Sequence, residues 1–182
     1  MKALPPLAYA ELHALSSFSF QRAASQPEEL VRRAHALGYS ALAITDECSV
    51  SGVVRAHTEA RKLNLQLLLG AEFRVHDVGL EGLTVVVLAH NLEGWGNLCE
   101  FITAARGAAP KGEYRVGWRS VQARELWARL QHCEVLLHFS GAIKIEAAWA
   151  VSTWAIGLFG THCWLGVCLR LAADDGLQCH RL

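Results

Sequence analysis

Hydrophobic residues along the chain fall into short continuous runs that alternate with segments of helical spacing. The short runs predict strands at 8–14, 40–47, 65–69, 83–89, 135–139 and 163–169. Apolar residues three and four apart predict a helix that starts at 25–28 and ends at Gly38, and further helices at 50–63, 92–106, 121–130 and 143–159. This alternation is typical of an α/β fold with a parallel sheet.

The length of the chain limits how much of such a fold it can build. A closed eightfold barrel of strands and helices needs about 250 residues, and the chain has 182. At about 30 residues per strand–helix unit, about six units are present. We expect one domain over 1–182, with its core at about 8–171 and irregular segments at 1–7 and 172–182. The sheet is either open or part of a larger barrel.

Several local predictions follow from the helical segments. Ser25 or Gln26 can cap the start of the first helix, and Ser25 and Glu28 have the spacing of a capping box. Val54 falls among the inner positions of the second helix, and Leu92 among those of the third. The helix at 143–159 is the most apolar, and it is too short to span a bilayer. We therefore expect it to be buried.

Composition narrows the range of functions only a little. Apolar residues make up 52% of the chain, and 17 basic residues balance 17 acidic ones. This excludes global disorder, and no basic excess indicates nucleic-acid binding by this segment alone. The six cysteines include no Cys-x-x-Cys pair, and the N-terminus lacks the apolar core of a secretory signal. We expect a cytoplasmic protein with reduced thiols and no membrane partner.

Acidic residues and a histidine recur where predicted strands end. Glu11 and His13 alternate in the first strand, Asp46 and Glu47 end the second, and Glu72 follows the third. The carboxyl ends of parallel strands share one edge of a sheet, where functional groups of α/β folds gather. Imidazole and carboxylate suit zinc, manganese or magnesium. Such a cluster could activate water against a phosphoester.

Each of these residues also has a structural explanation. Asp46 could cap the following turn or helix. Glu11 could be exposed, His13 could be a hydrogen-bonded core histidine, and Glu72 could pair with an arginine. Separate structural explanations at three strand ends are together less expected than a single one, and this favours the metal hypothesis from the sequence.

The order of several short motifs resembles a known family. The motifs are Tyr9-Ala10-Glu11-Leu12-His13, Phe18-Ser19-Phe20, Pro27-Glu28-Glu29-Leu30, Ala41 to Glu47, Gly70-Ala71-Glu72-Phe73, Leu88-Ala89, Gly94-Trp95-Gly96-Asn97-Leu98 and Lys111-Gly112-Glu113-Tyr114. In this order they resemble the N-terminal PHP (polymerase and histidinol phosphatase) domain of bacterial C-family DNA polymerases. The resemblance points to the error-prone branch, the second form of the DNA polymerase III alpha subunit. It is strong over about 9–114 and thinner to about 171.

This resemblance implies a fold and a function. The fold would be a distorted (β/α)7 barrel, here partial, whose active members bind up to three metals and hydrolyse phosphoesters. The parent enzyme would be a magnesium-dependent nucleotidyltransferase acting in DNA replication, DNA repair and damage-induced mutagenesis. Its partners would be primer–template DNA, deoxynucleoside triphosphates and mutagenesis accessory proteins. No polymerase palm lies in this chain, so we expect it to be inactive alone and to carry no catalytic residue.

Carried over residue by residue, the resemblance implies a degenerate metal site. Glu11 replaces the first histidine of a His-x-His motif, and Glu47 replaces the histidine of a Thr-Asp-His motif. His13, Asp46 and Glu72 are retained in kind. Family ligands are absent at three further positions, which hold Arg22, Thr84 and Ala142. The resemblance thus implies at most one divalent metal, zinc, manganese or magnesium, at Glu11, His13, Asp46, Glu47 and Glu72.

Three functional hypotheses remain open from the sequence. The first is a fragment of an error-prone DNA polymerase with a structural role. The second is a free-standing metal-dependent phosphoesterase, which the incomplete ligand set disfavours. The third is a truncated, non-functional product that exposes apolar surface and a sheet edge.

Overall fold

The computed structural model describes residues 8–140 and 143–167. The predicted irregular segments at 1–7 and 172–182, the end of the sixth predicted strand at 168–169 and the position of Ala142 lie outside the described residues. The chain divides into two compact units, 1–71 and 72–182. Each unit is described by itself.

The first unit is a parallel arrangement of strands connected by two helices. Its elements are β1 (Ala10–Ala14), α1 (Pro27–Ala36), β2 (Ala41–Ile44), α2 (Val53–Leu63) and the first part of β3 (Gln66–Arg74). β2 pairs in parallel with both β1 and β3. The four residues of β2 are all buried, as expected for a parallel strand covered on both faces. Buried residues of α1, β2 and α2, together with one residue just before β3, form one core cluster: Val31, Ala34, Leu42, Ile44, Ala56, Ala60 and Leu65.

β1 contains an irregularity close to the predicted site. Glu11 pairs with Leu42 and Ala14 pairs with Ile44, so three steps along β1 match two along β2. One extra residue between Glu11 and Ala14 makes this a β-bulge, a feature that redirects side chains and is common beside functional sites.

The second unit is a mixed α/β arrangement. It contains the end of β3, then β4 (Leu83–Ala89), α3 (Leu92–Gly107), α4 (Val121–Ala128), β5 (Cys133–Phe139), α5 (Ile145–Phe159), a 3₁₀ turn (Gly160–His162) and β6 (Cys163–Gly166). Aromatic rings in contact fill part of its core: Phe73, Phe101, Trp118 and Trp127. β5 pairs in parallel with β6. The α/β class with six strands, as predicted, is confirmed.

The prediction of an entirely parallel sheet is wrong for one pair. β4 and β5 are antiparallel, with Leu83 opposite Phe139 and Ala89 opposite Cys133. Two helices, α3 and α4, separate these strands. Ala89 at the end of β4 pairs with Cys133 at the start of β5, so β5 starts beside the point where β4 stops.

Three side-chain predictions are also corrected. The capping box at α1 joins the backbone N–H of Gln26 to the carboxylate of Glu29 (2.8 Å), one residue later than predicted from Ser25 and Glu28. Val54 and Leu92 are exposed, because the buried faces of α2 and α3 lie on other residues of each turn.

The apolar helix α5 is only partly buried. Val151, Ala155 and Phe159 face the core, whereas several of its large apolar side chains are exposed. The expectation of a buried helix is therefore wrong for one face. No helix within 8–140 or 143–167 combines the length and apolar character that a membrane span requires.

Candidate functional site at the ends of the first two strands

Asp46 lies two residues after β2 and is fully buried. Its carboxylate accepts three hydrogen bonds, from the backbone N–H of Ser16 (2.8 Å), the hydroxyl of Ser16 (2.6 Å) and the hydroxyl of Ser19 (2.7 Å). A buried carboxylate must be satisfied in this way, because burial without donors would cost several kcal/mol. Asp46 therefore fixes the loop after β1 to the end of β2.

Ser16 and Ser19 are the residues of this site that the sequence did not identify. Both are buried, in a loop that was expected only to connect β1 with α1. Ser19 also accepts a hydrogen bond from the backbone N–H of Glu47 (2.9 Å). Single serines in a polar loop carry no distinctive spacing, so their partner could be identified only from the fold.

Glu47, beside Asp46, forms an ion pair with an arginine. Oε2 of Glu47 lies 2.8 Å from Nη1 of Arg22, and both side chains are largely shielded from solvent. Arg22 belongs to the same loop as Ser16 and Ser19. The loop is therefore joined to the end of β2 through both neighbouring carboxylates.

Glu11 and His13 lie at the β-bulge of β1, and both are half-buried. The Glu11 carboxylate accepts hydrogen bonds from the backbone N–H of His13 and from the hydroxyl of Tyr9, each at 3.0 Å. The Glu11 carboxylate is therefore hydrogen-bonded to groups in and beside its own strand. It is not simply an exposed acid, which was the structural alternative considered from the sequence.

The N-terminus of α2 approaches Asp46 closely at Gly52. A Cβ atom at this position would lie 3.0 Å from Oδ2 of Asp46, 3.1 Å from Oγ of Ser16 and 2.9 Å from Cγ of Pro27. Any larger residue would displace one of these groups. The site therefore requires glycine at the start of α2, so that the helix can pack against the hydrogen-bonded carboxylate.

Glu72 lies in the second unit and is fully buried. The sequence placed it at the carboxyl end of the third strand, but β3 continues to Arg74. The position of Glu72 at a strand end is therefore wrong, because the strand extends further than its first apolar run. Its membership of a metal site with the other four residues stays a prediction.

The carboxylates of the first unit, as arranged, do not fit a metal ion. Within the described ranges, no three His, Cys, Asp or Glu side chains are placed to hold one. Asp46 takes donors from two serines, Glu47 takes the Arg22 guanidinium and Glu11 takes the Tyr9 hydroxyl. The donors that surround these carboxylates supply the positive or hydrogen-bonding partners that a metal would otherwise supply.

The second unit contains a further polar cluster, around Glu134 of β5. Its carboxylate accepts a hydrogen bond from Nε1 of Trp164 (2.7 Å), and it lies 2.8 Å from Nδ1 of His162 and 3.4 Å from Nδ1 of His90. Burial raises the pKa of Glu134, but these hydrogen bonds outweigh burial and hold the pKa below its ordinary value. The cluster joins the regions of β4, β5 and β6.

Known proteins with sequences similar to this chain include several error-prone DNA polymerases. That of Bordetella parapertussis is 52% identical over 184 residues, 98% of this chain and 17% of the relative. That of Methylococcus capsulatus is 46% identical over 170 residues, 93% of this chain and 15% of the relative. The chain thus spans about a sixth of the length of these relatives.

A solved structure shares the fold at low sequence identity. It is a protein from Bifidobacterium adolescentis described as a candidate metal-dependent phosphoesterase, with a TM-score of 0.63 and 17% identity. The match covers 90% of this chain and 78% of the other. The sequence pattern of the PHP domain family matches residues 11–152, more than three-quarters of the chain. The chain belongs to the PHP domain family.

Proposed function

We propose that this chain is the PHP domain of an error-prone DNA polymerase that acts in DNA repair and translesion synthesis. The observation that carries the proposal is the 52% identity to such a polymerase over 98% of the chain. In the whole protein, primer–template DNA, deoxynucleoside triphosphates and mutagenesis accessory proteins would be the partners, and the cytoplasm the location. Polymerisation would be carried out by other parts of the protein.

We further propose that the metal site is degenerate and that its residues have a structural role. The bonding of Asp46 to Ser16 and Ser19, and of Glu47 to Arg22, supports this. These contacts hold the loop after β1 without a cation. Catalysis by the site would need carboxylates available to bind a metal or a proton, and here they are engaged with the loop.

Primer extension tests the first part of the proposal. The purified 182-residue chain should yield no extended primer with magnesium and all four deoxynucleotides. The intact polymerase of Bordetella parapertussis, under the same conditions, is the positive control. Extension by the isolated chain would contradict the proposed division of labour.

Elemental analysis tests the second part. Purified protein should hold well below one equivalent of zinc, manganese or magnesium after dialysis, and His13→Ala and Glu72→Ala should leave that content unchanged. One bound equivalent that disappears in both variants would show that the site is intact.

A metal-dependent phosphoesterase is the second candidate, because the Bifidobacterium adolescentis structure of similar fold carries that description. The test is phosphate release from p-nitrophenyl phosphate with added manganese or zinc. We expect none above the buffer rate. Metal-dependent turnover that is lost in Asp46→Asn, the milder change at this buried position, but kept in Val54→Lys, a change on an exposed surface, would favour this candidate.

A further inference from the structure

Basic residues are concentrated in one stretch of a chain that is neutral overall. The chain balances 17 basic residues against 17 acidic ones, but residues 106–129 hold six basic residues and two acidic ones. Three of the six lie in the connection between α3 and α4, the basic loop (residues 108–120): Lys111, Arg115 and Arg119. The balance of the whole chain therefore conceals a local excess of positive charge.

The three basic residues of the loop are exposed, and within the described part of the chain they form no ion pair. The first unit differs, because several of its exposed cations pair with carboxylates, as Arg32 does with Glu59. The pKa of Glu81 is lowered first by backbone N–H groups at Gly79 and Glu81 and to a smaller extent by the charge of Arg119. Glu81 thus lies near the loop without neutralising it.

Backbone hydrogen bonds hold the basic loop in place. The N–H of Arg115 donates to the carbonyl of Ala105 in α3 (3.0 Å). The Asp77 carboxylate accepts the backbone N–H groups of Trp118 (2.6 Å) and Arg119 (2.8 Å). A loop that is already fixed loses little further conformational freedom on binding, so its charges are arranged before a partner arrives.

The loop packs its apolar side chains inward and presents its charges outward. Val116 and Trp118 are buried (1% and 3% exposed), whereas Arg115 and Arg119 on either side of them are exposed. A Cβ atom at Gly112 would meet no described atom within 4 Å. The outer side of the loop is therefore charged, and the chain does not crowd it at this glycine.

This surface fits a phosphate backbone better than a protein. Protein interfaces are built around aromatic and large apolar side chains, and lysine is depleted in them. No large apolar side chain between residues 93 and 120 is exposed, and the next one along the chain is the single Val121 at the start of α4. Guanidinium and ammonium groups bind phosphate oxygens through charge-assisted hydrogen bonds. Duplex DNA presents these oxygens densely, with about one negative charge per 1.7 Å of its axis.

We propose that the basic loop binds the phosphate backbone of duplex DNA through Lys111, Arg115 and Arg119, without reading the base sequence. The choice of DNA as the polyanion rests on the proposed function, whereas the position of the site rests on the charges of this chain. Binding of this kind is non-specific, with dissociation constants of about 1–100 μM at physiological salt.

Fluorescence anisotropy of the full chain with labelled duplexes tests this binding. Two duplexes of unrelated sequence should bind with equal affinity, because phosphate contacts carry no sequence information. The logarithm of the association constant should fall linearly with the logarithm of the salt concentration. For three phosphate contacts the expected slope is about −2.7.

Paired double variants separate the loop from net charge. Lys111→Gln/Arg115→Gln should weaken binding by at least about tenfold at about 50 mM salt and change the slope to about −0.9, because one contact remains. Arg33→Gln/Arg61→Gln is the matched control, since it removes two exposed basic residues from α1 and α2 and gives the same net charge. The control should keep the wild-type affinity and slope, and circular dichroism should show both variants folded.

Any of three results would overturn the proposal. These are no binding of duplex DNA at about 50 mM salt, an equal loss of affinity in the control variant, or displacement of DNA by polyglutamate at a lower charge concentration than by unlabelled duplex. The last result would indicate an acidic protein partner. Primer extension and metal content test the proposed function separately, so either proposal can fail while the other stands.

Discussion

Removing the Asp46 carboxylate should destabilise the first unit more than any other single change at the candidate site. Asp46 is fully buried and accepts three hydrogen bonds from Ser16 and Ser19. Hydrogen bonds to a charged group contribute about 1.5–3 kcal/mol each, and they are not additive. Some donors regain water when the loop relaxes. We therefore expect Asp46→Ala to lower the free energy of unfolding by about 3–5 kcal/mol.

Asp46→Asn separates the charge from the shape of the side chain. The Asn oxygen can keep the bonds from the Ser16 N–H and the Ser19 hydroxyl, whereas its amide group faces the Ser16 hydroxyl, which can turn to accept. We expect a loss of only about 1–2 kcal/mol. Glu47→Gln is the matched control, because it removes the partly exposed ion pair with Arg22, which contributes about 0–1 kcal/mol.

The assay must report on the first unit. All six tryptophans lie at 95–164, so their fluorescence follows the second unit. Amide hydrogen exchange of peptides covering 10–47 reports opening of β1, β2 and the loop between them. Faster exchange in the order Asp46→Ala, Asp46→Asn, Glu47→Gln is expected. If Asp46→Ala exchanged like the wild type, the carboxylate would not be what fixes the loop, and the structural role proposed for the site would be refuted.

Three further predictions concern the second unit. Gly94→Ala should destabilise the second unit by about 1–3 kcal/mol, because a Cβ at position 94 would lie 2.0 Å from the carbonyl oxygen of His132. Urea titrations followed by tryptophan fluorescence measure this loss. Gly96→Ala in the same helix is the control and should be neutral or stabilising, because a Cβ at position 96 meets no described atom within 4 Å. Burial, with the Glu134 charge nearby, raises the pKa of the Cys133 thiol to about 12, so Cys133 should react with a thiol reagent at pH 8 only after unfolding. Peptide mass spectrometry distinguishes Cys133 from the other cysteines, and rapid labelling of Cys133 itself in the native chain would contradict its burial. The pKa of Glu134 is lowered in the fold, so Glu134 stabilises the fold at pH values above its ordinary pKa of 4.5, and this stabilisation is lost as the pH falls through the lowered pKa. Glu134→Gln should therefore be less stable than the wild type at neutral pH, and its stability should depend less on pH in the acid range. A pH profile of stability that is the same in both proteins would count against the cluster.

The elements that sequence predicted well are those with a local signal. β4 has the predicted bounds of 83–89, because its run of valines needs no tertiary information to indicate a strand. β2 was identified as a buried strand followed by Asp46 for the same reason. The PHP resemblance, carried by several motifs in order, is confirmed by the family match over 11–152.

The failures have a common physical cause, which is packing between distant residues. The third strand was expected from its apolar run at 65–69, with Gly70-Ala71-Glu72 at its carboxyl end. It continues because Phe73, the next residue, packs against Phe101 and Trp127 in the core of the second unit. α5 was expected to be buried from its composition alone. Composition cannot indicate which neighbours cover each face of a helix, and only the face with Val151, Ala155 and Phe159 is covered.

The rim of carboxylates at the end of β2 is matched by the protein's own hydrogen-bond and ion-pair partners. The rim holds two adjacent acids at the end of β2, and each is matched by a donor on the same loop: hydroxyls for the buried Asp46, and a guanidinium for Glu47. The kind of donor that each carboxylate receives follows from how deeply that carboxylate is buried. Neutral hydroxyls satisfy the fully buried carboxylate by hydrogen bonding alone, whereas the more accessible carboxylate takes the charged partner. An arginine at this point contributes one positive charge together with directional donors. The loop after β1 is thereby joined to the end of β2 through hydroxyl donors to Asp46 and a guanidinium donor to Glu47.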